Sequence, residues 1–433
     1  MKETRVTPER AETVFSDAKA PYTRAQALVE ANRCLYCHDA PCITACPTHI
    51  NIPEFIRKIA TDNVQGSART IFEANILGMS CARVCPVEVL CVGACVANAA
   101  GVPPIQIGRL QRYSTDLAYT RGWNFFERGA DSGRRVALIG AGPASLACAH
   151  ELARLGHSSV IFEKRAVPGG LNTTGVAPYK MRADASLTEV DWILGIGGIE
   201  LRTGIEVVDI PALEAEFDAV FVGIGLGADA DLGVPGQNLA GIHGAVAWIE
   251  AMKLGKVSLD GVKTALVIGG GNTAIDAVRE LKGLGVPEVR MVYRGEESSM
   301  SGYKHEWVGA RKAAVDALWN RVPTAFVGEG SVRAVRLAVT RDRRPVAGSE
   351  HEVAAELVLV AIGQARLGNH LSALGINVDR GRVLVDADGA TSRARWYAGG
   401  DCANGGTEVV YAAAEGKRAA HAIHRSFGNQ EGR

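Results

Sequence analysis

Apolar positions change their period along this chain. From Pro21 to about Tyr119 they recur at helical spacing, as in 52–59 and 68–77, which predicts helices and loops without a convincing strand. A polar, glycine-containing linker follows at 121–134. Beyond it, short unbroken apolar runs take over. Arg135-Val-Ala-Leu-Ile-Gly140 and Thr264-Ala-Leu-Val-Ile-Gly269 each read as a buried strand entering a glycine turn, a duplicated strand–turn–helix architecture. Val160-Ile-Phe-Glu163, Asp218-Ala-Val-Phe-Val-Gly-Ile-Gly225, Val289-Arg-Met-Val-Tyr-Arg294 and Leu357-Val-Leu-Val-Ala-Ile-Gly363 read as further strands. The chain closes with Trp396-Tyr-Ala-Gly-Gly-Asp401 and a helical pattern from about 409 to 424, whereas residues 1–20 are polar and expected to be loosely ordered.

The first glycine turn, Gly140-Ala-Gly142-Pro143-Ala144-Ser145, suits a pyrophosphate. Gly140 makes the turn, Gly142 lets the backbone approach, and the helix opening at Pro143 and Ala144 offers N–H donors and a favourable dipole. Ser145 stands where a third glycine is usual. Glu163, about 20 residues on, is in place for a ribose. Gly170 and Leu171 follow, then Gly225, and the distant Gly400-Asp401 would bring an aspartate near a ribityl chain. Joined together, these segments point to FAD. Glu408 and Val409 fall beside the flavin pyrimidine ring by their place after Asp401.

The second turn, Gly269-Gly-Gly271-Asn272-Thr273-Ala274, repeats the arrangement for a nicotinamide cofactor. Its next strand ends in Arg294, a base that would take the 2′-phosphate of NADPH, but Glu296 nearby would serve a free ribose hydroxyl. The balance is read slightly towards NADH. The stretch 300–306 is placed beside this cofactor, or as an ordinary surface helix.

Eight of the ten cysteines lie between Cys34 and Cys95. Cys34-x2-Cys37-x4-Cys42-x3-Cys46-Pro47 and Cys85-Pro86 with Cys91-x3-Cys95 are spaced for iron–sulfur ligation, in which a cysteine before proline serves the other cluster. That interleaving assigns Cys34, Cys37, Cys42 and Cys95 to one [4Fe-4S] cluster. The second takes Cys46, Cys85, Cys91 and one more ligand, for which Cys81 and Gln111 compete. Two tetrahedral zinc sites would also satisfy the ligand count. Cys148 and Cys402 stand apart and read as packed small residues.

Composition narrows the class. At 433 residues the chain is long enough for two to four domains, and its 50 glycines exceed the usual share of about 7%. A formal net charge of zero argues against nucleic acid or an anionic membrane surface as partner. No run approaches the ~20 apolar residues of a membrane span, and no export signal is visible, so a cytoplasmic protein with ligand or free thiols is expected. Nucleotides and clusters in one chain mean electron transfer. Among alternatives, a diaphorase or ferredoxin-coupled oxidoreductase keeps that chemistry, and a zinc scaffold with nucleotide-sensing folds abandons it.

The order of cysteine runs, FAD unit, inserted nicotinamide unit and returning FAD segment resembles the electron-transfer group of the glutamate synthase small subunit and the dihydropyrimidine dehydrogenases. Arg33-Cys-Leu-Tyr-Cys-His-Asp-Ala-Pro-Cys42, Cys46-Pro-Thr-His-Ile50 and Ile107-Gly-Arg-Leu-Gln111 look most like the latter. The resemblance implies an α/β fold with an N-terminal all-α iron–sulfur domain and two Rossmann-like domains, the nicotinamide domain inserted in the FAD domain. Its expected division is 1–130 for two [4Fe-4S] clusters, 131–255 and 365–433 for FAD, and 256–364 for NADH or NADPH. It implies Gln111, rather than Cys81, as the last cluster ligand. It further implies a bacterial electron-input subunit of dihydropyrimidine dehydrogenase. Such a subunit works with a separate FMN and iron–sulfur catalytic subunit, as a heterotetramer, on uracil or thymine. No side chain here then needs to act as a catalytic acid or base.

Overall fold

A computed structural model describes residues 9–255 and 257–428. The polar lead expected over 1–20 lies outside them as far as residue 8. The described chain forms two compact units, one of 17–173, 184–226 and 366–428, the other of 9–16, 174–183 and 227–365.

The first unit opens with helices, and among the described residues no strand precedes Arg135. Helix Ile52–Ala60 buries Ile52, Phe55, Ile56 and Ile59, the face its spacing predicts, and Asn51 caps it by accepting from the Glu54 N–H at 3.2 Å. The pattern read through residue 77 breaks earlier. Helix Val64–Ala74 stops because Asn75 turns extended, and its side chain accepts from Leu77 N–H to start α1 (Gly78–Val84). Helix α2 (Ile107–Arg121) then crosses the group and ends at Gly122, whose left-handed φ of 64° no β-carbon obstructs.

A five-stranded parallel sheet follows, in the order Trp396–Ala398, Ala219–Val222, Arg135–Ile139, Ser158–Glu163, Ile199–Thr203. Arg135–Ile139, Ser158–Glu163 and Ala219–Val222 are apolar runs read as strands and are largely buried, as a parallel sheet requires, whereas the edge strand Ile199–Thr203 was not read as one and is partly exposed. Helices α3 (Pro143–Arg154), α4 (Ala183–Leu194) and α5 (Val409–Gly428) pack around it. Helices α3 and α5 cross so closely that a β-carbon on Gly416 would lie 2.0 Å from the Ala144 carbonyl oxygen.

The second unit has its own parallel sheet, Ile242–Gly244, Leu357–Val360, Thr264–Ile268, Glu288–Tyr293, Asp316–Trp319. An antiparallel group of Arg321–Glu329, Ser331–Arg341 and His351–Ala354 accompanies it. The boundary expected at 255/256 therefore moves to 226/227. Strand Ile242–Gly244 pairs in this sheet, and helix Ala245–Leu254 buries Ala245, Trp248, Ile249 and Met252 in this unit's core. Local periodicity reports that a segment is buried, not which sheet it joins.

The segment 174–183 also belongs to this unit, which the sequence reading did not anticipate. Lys253 Nζ donates to the carbonyls of Val176 and Met181 at 2.7 and 2.8 Å, and Tyr179 Oη donates to Asp276. Lys180 Nζ lies 2.9 Å from Asp276 and 2.7 Å from Glu306. Beneath this network Glu280 is fully buried with neither carboxylate oxygen hydrogen-bonded. Burial, with Asp276 nearby, pushes its carboxyl well above the usual range despite Lys253, Lys180 and Arg279.

Candidate functional site

The cysteines of the two runs fall into two settings. Cys34, Cys37, Cys42 and Cys95 line one cavity of about 40 Å³ whose other walls include Ile52, Ile56 and Ile105. Burial and the thiols of Cys34 and Cys95 push Cys42 up to about 11. Burial also raises Cys34, with Cys37 and Cys95 adding to it. Cys46, Cys81, Cys85 and Cys91 share an apolar core with Ile50, Phe55 and Leu110. There burial first, then Cys85, Cys46 and Cys42, hold the Cys91 thiol far above its usual value.

These thiols are poor anions on their own, so a bound positive centre is what would displace their protons. The donor set fits iron–sulfur clusters, which thiolates hold in fours. Among the described residues, no three His, Cys, Asp or Glu side chains are grouped as a single metal ion would need.

The two competitors for the last ligand sit on facing helices. Cys81, on α1, hydrogen-bonds Cys85, the main cause raising the Cys85 thiol, and accepts from Asn75 Nδ2 at 3.1 Å. Gln111, on α2, is buried and donates through Nε2 to the Gly78 carbonyl at 2.7 Å. That bond leaves its carbonyl oxygen as the end able to meet iron.

The first glycine turn has the shape of a dinucleotide cradle. Gly140 has φ 91°, and a β-carbon there would sit 2.6 Å from the Gly223 carbonyl oxygen. No side chain caps α3, which Gly142 and Pro143 open, so its first N–H groups remain for an anion. Ser145 packs against Gly223 where a glycine was expected, its hydroxyl buried without a partner. Glu163 accepts from Ala141 N–H and Arg165 N–H, both at 2.8 Å, so it braces the turn and keeps further lone pairs for a ribose. Gly170 abuts Gly142, which puts Leu171 beside the turn, and Gly225 ends the neighbouring crossing with φ 67°.

Gly400 and Asp401 follow the edge strand. Burial raises the Asp401 carboxyl, and Thr407 N–H bonded to it at 3.2 Å works against that rise. Glu415 had not been singled out. It accepts from Gly400 N–H at 2.6 Å and holds Asn404, and the signal was its position seven residues after Glu408 on one helix face. Glu408 and Val409 stand at the start of α5, where Val409 and Val410 pack in the cysteine core. Helix α5 thus begins within the cysteine-bearing core.

In the second unit, Gly271 and Asn272 open helix Asn272–Gly283, again with no side-chain cap, and Thr273 lies in its first turn. A β-carbon on Gly269 would sit 2.2 Å from the Ala361 carbonyl oxygen. The stretch read at 300–306 does border this turn: Gly302 N–H donates to the Gly270 carbonyl and Tyr303 N–H to Asn272 Oδ1. Arg294 is exposed, while Glu297 nearby is 3.5 Å from Arg311. Cys148 and Cys402 are buried, and burial pushes the Cys402 thiol to about 12, so both are packing residues.

A second residue escaped the sequence reading. Glu189, on α4, is 1% exposed, and burial pushes its carboxyl up to about 7 against hydrogen bonds from Ser80 and Met79. The only sequence sign was an acid set among Ser186, Val190 and Ile193 on a buried stripe.

Comparison with known proteins decides the family. Residues 134–416 match the pyridine nucleotide-disulphide oxidoreductase model. The chain belongs to that family. Residues 10–123 match the model described as dihydropyrimidine dehydrogenase domain II, 4Fe-4S cluster. The glutamate synthase [NADPH] small chain of Halomonas elongata is 34% identical, over 94% of this chain and 92% of that protein. The NAD-dependent dihydropyrimidine dehydrogenase subunit PreT of Escherichia coli is also 34% identical, over 93% and 95%. Among solved structures, FprA from Mycobacterium tuberculosis covers 69% of this chain and 86% of its own at a TM-score of 0.59 and 18% identity. Thioredoxin reductase from T. acidophilum covers 68% and 99% at 0.56 and 22%.

The protein is therefore an NAD(P)H-dependent flavin and iron–sulfur oxidoreductase with a 4Fe-4S domain ahead of FAD- and NAD(P)H-binding folds. The zinc scaffold is set aside. No helix among the described residues is long and apolar enough to cross a membrane.

Proposed function

We propose that the chain is the electron-input subunit of a dihydropyrimidine dehydrogenase, working with a separate FMN and iron–sulfur subunit that reduces uracil or thymine. The observation that carries the electron path is the start of α5 at Val409 and Val410, packed among Cys46, Cys81, Cys85 and Cys91 within the unit that holds the flavin cradle. When bound, FAD accepts a two-electron hydride and can release electrons singly to iron–sulfur clusters.

The chain's own residues hold and orient. Cys34, Cys37, Cys42 and Cys95 take one cluster, and Cys46, Cys85, Cys91 and Gln111 the other. Gly140, Gly142, Pro143, Ala144, Glu163, Gly170, Leu171, Gly225, Gly400, Asp401, Glu408 and Val409 seat FAD. Gly269, Gly271, Asn272, Thr273 and Arg294 receive NADH. No acid or base of this chain takes part; proton delivery to the pyrimidine belongs to the partner, in a heterotetramer. A reducing cytoplasm suits this many unpaired cysteines.

The glutamate synthase small chain is a second reading, favoured by the equal identity of that relative. Anaerobic affinity purification from the native host separates the two. The proposal expects an FMN-carrying partner and NADH oxidation that depends on uracil or thymine. A larger, glutamine-hydrolysing partner with 2-oxoglutarate-dependent turnover replaces it.

A further inference from the structure

A buried carboxylate with no part in either nucleotide turn caps the cysteine-bearing helix and accepts a hydrogen bond from the Ser80 hydroxyl that receives the flavin segment. Glu189 Oε1 accepts from the backbone N–H groups of Met79 and Ser80, each at 3.1 Å, and Oε2 accepts from the Ser80 hydroxyl. The same hydroxyl accepts from Asn172 Nδ2 at 2.9 Å. Ser80, Glu189 and Asn172 are all 5% exposed or less.

The two ends of this chain of hydrogen bonds matter. Asn172 follows Gly170 and Leu171, the segment pressed against Gly142 of the flavin turn. Ser80 precedes Cys81, whose thiol bonds Cys85, and Gly78 two residues earlier receives Gln111. Hydrogen bonds therefore tie the residue two positions after Gly170 to the helix that carries Cys81 and receives Gln111.

A helix cap alone does not account for it. A Ser, Thr or Asp at position 77 would satisfy the first N–H groups of α1 locally. Instead Leu77 stands there, and a carboxylate is supplied from about 110 residues away at the cost of its burial. Satisfying Asn172 and α1 at one node fixes their mutual register, which a local cap cannot do.

We propose that Glu189 is a positioning residue that holds the flavin segment and α1 in register and so sets the rate at which electrons leave the flavin for the nearer cluster. The inference rests on the electron-input reading above. Stopped-flow spectroscopy of the anaerobic holoenzyme mixed with NADH resolves the two steps, flavin bleaching and cluster bleaching.

Glu189→Ala is expected to keep its iron and FAD and to bleach its flavin at the wild-type rate. Its cluster reduction should slow by about tenfold or more, since a displacement near 1 Å can cost ~100-fold in a positioned reaction. Glu189→Gln retains an oxygen for both N–H groups and is expected to restore most of the rate. Ser80→Ala removes the node but leaves those two backbone bonds, and should slow the same step even where Glu189→Ala does not assemble. Cluster reduction at the wild-type rate in Ser80→Ala, or equal slowing of both steps in Glu189→Ala, overturns the inference. Wild-type protein whose flavin is reduced by NADH while its clusters stay oxidised overturns the electron-input reading as well.

Discussion

Gly416→Ala tests the flavin cradle from behind. Its new β-carbon would lie 2.0 Å from the Ala144 carbonyl oxygen and 3.1 Å from Cys148 N, where ordinary contact begins at 3.4 Å. Helices α3 and α5 must part by more than 1 Å, and rigid backbone on both sides leaves no side chain to give way. Overpacking of this kind costs about 3 kcal/mol at the upper end of its usual range, while alanine's better helix propensity returns about 1 kcal/mol. The net loss is about 2 kcal/mol. Ala144 is in the first turn of α3, so the displacement enters the pyrophosphate site and FAD binding should weaken by roughly thirtyfold if the loss falls there. Flavin-release fluorescence on heating and titration of the apoprotein with FAD read both effects. Gly428→Ala, in the same helix with nothing within 4 Å, is the control and should leave FAD affinity unchanged without lowering the melting temperature. A Gly416→Ala protein with wild-type FAD affinity and melting temperature would show that the close crossing does not support the cradle.

Two further perturbations follow from buried groups. The raised Glu280 carboxyl makes the folded chain bind a proton that the unfolded chain releases near 4.5. Its contribution is therefore full below that pH and is withdrawn as pH rises towards the folded value. Glu280→Gln should flatten the fall in melting temperature as pH rises above about 4.5, and an unchanged slope would sink the assignment. For the second cluster, Cys81→Ala should keep its full iron content while Gln111→Ala loses part of it, measured by iron analysis of anaerobically purified protein. The reverse result makes Cys81 the ligand.

The two nucleotide turns were legible because their strands are short, unbroken apolar runs ended by glycine, and a strand–glycine–helix junction constrains both neighbours; the longer, alternating strands Arg321–Glu329 and Ser331–Arg341 carry no such mark. The cysteine runs stand out for a similar reason, since their spacing is local, and residues 10–123 match a 4Fe-4S model. What escaped was long-range. Strand Ile242–Gly244 carries no mark of its partner Leu357–Val360, so the unit boundary was placed too late. Segment 174–183 is held by Lys253 and Asp276, residues whose burial no nearby pattern announces. Glu163 was read for its ribose, and the structure adds that it braces Ala141. Glu189 and Ser80 are separated by more than 100 residues, and only tertiary packing makes them neighbours.

The interleaving of the two sheets orders events on the ribosome. The second unit's sheet has all its strands once Leu357–Val360 has emerged, whereas the first unit's sheet still lacks Trp396–Ala398 and its covering helix α5. The sheet whose first strand, Arg135–Ile139, is made first is thus completed last. Until then the face of α3 that receives Gly416 remains uncovered in the nascent chain, an interval in which apolar surface invites aggregation. Truncation just before residue 396 should leave the second unit's sheet with its full set of strands and the first unit's sheet without its edge.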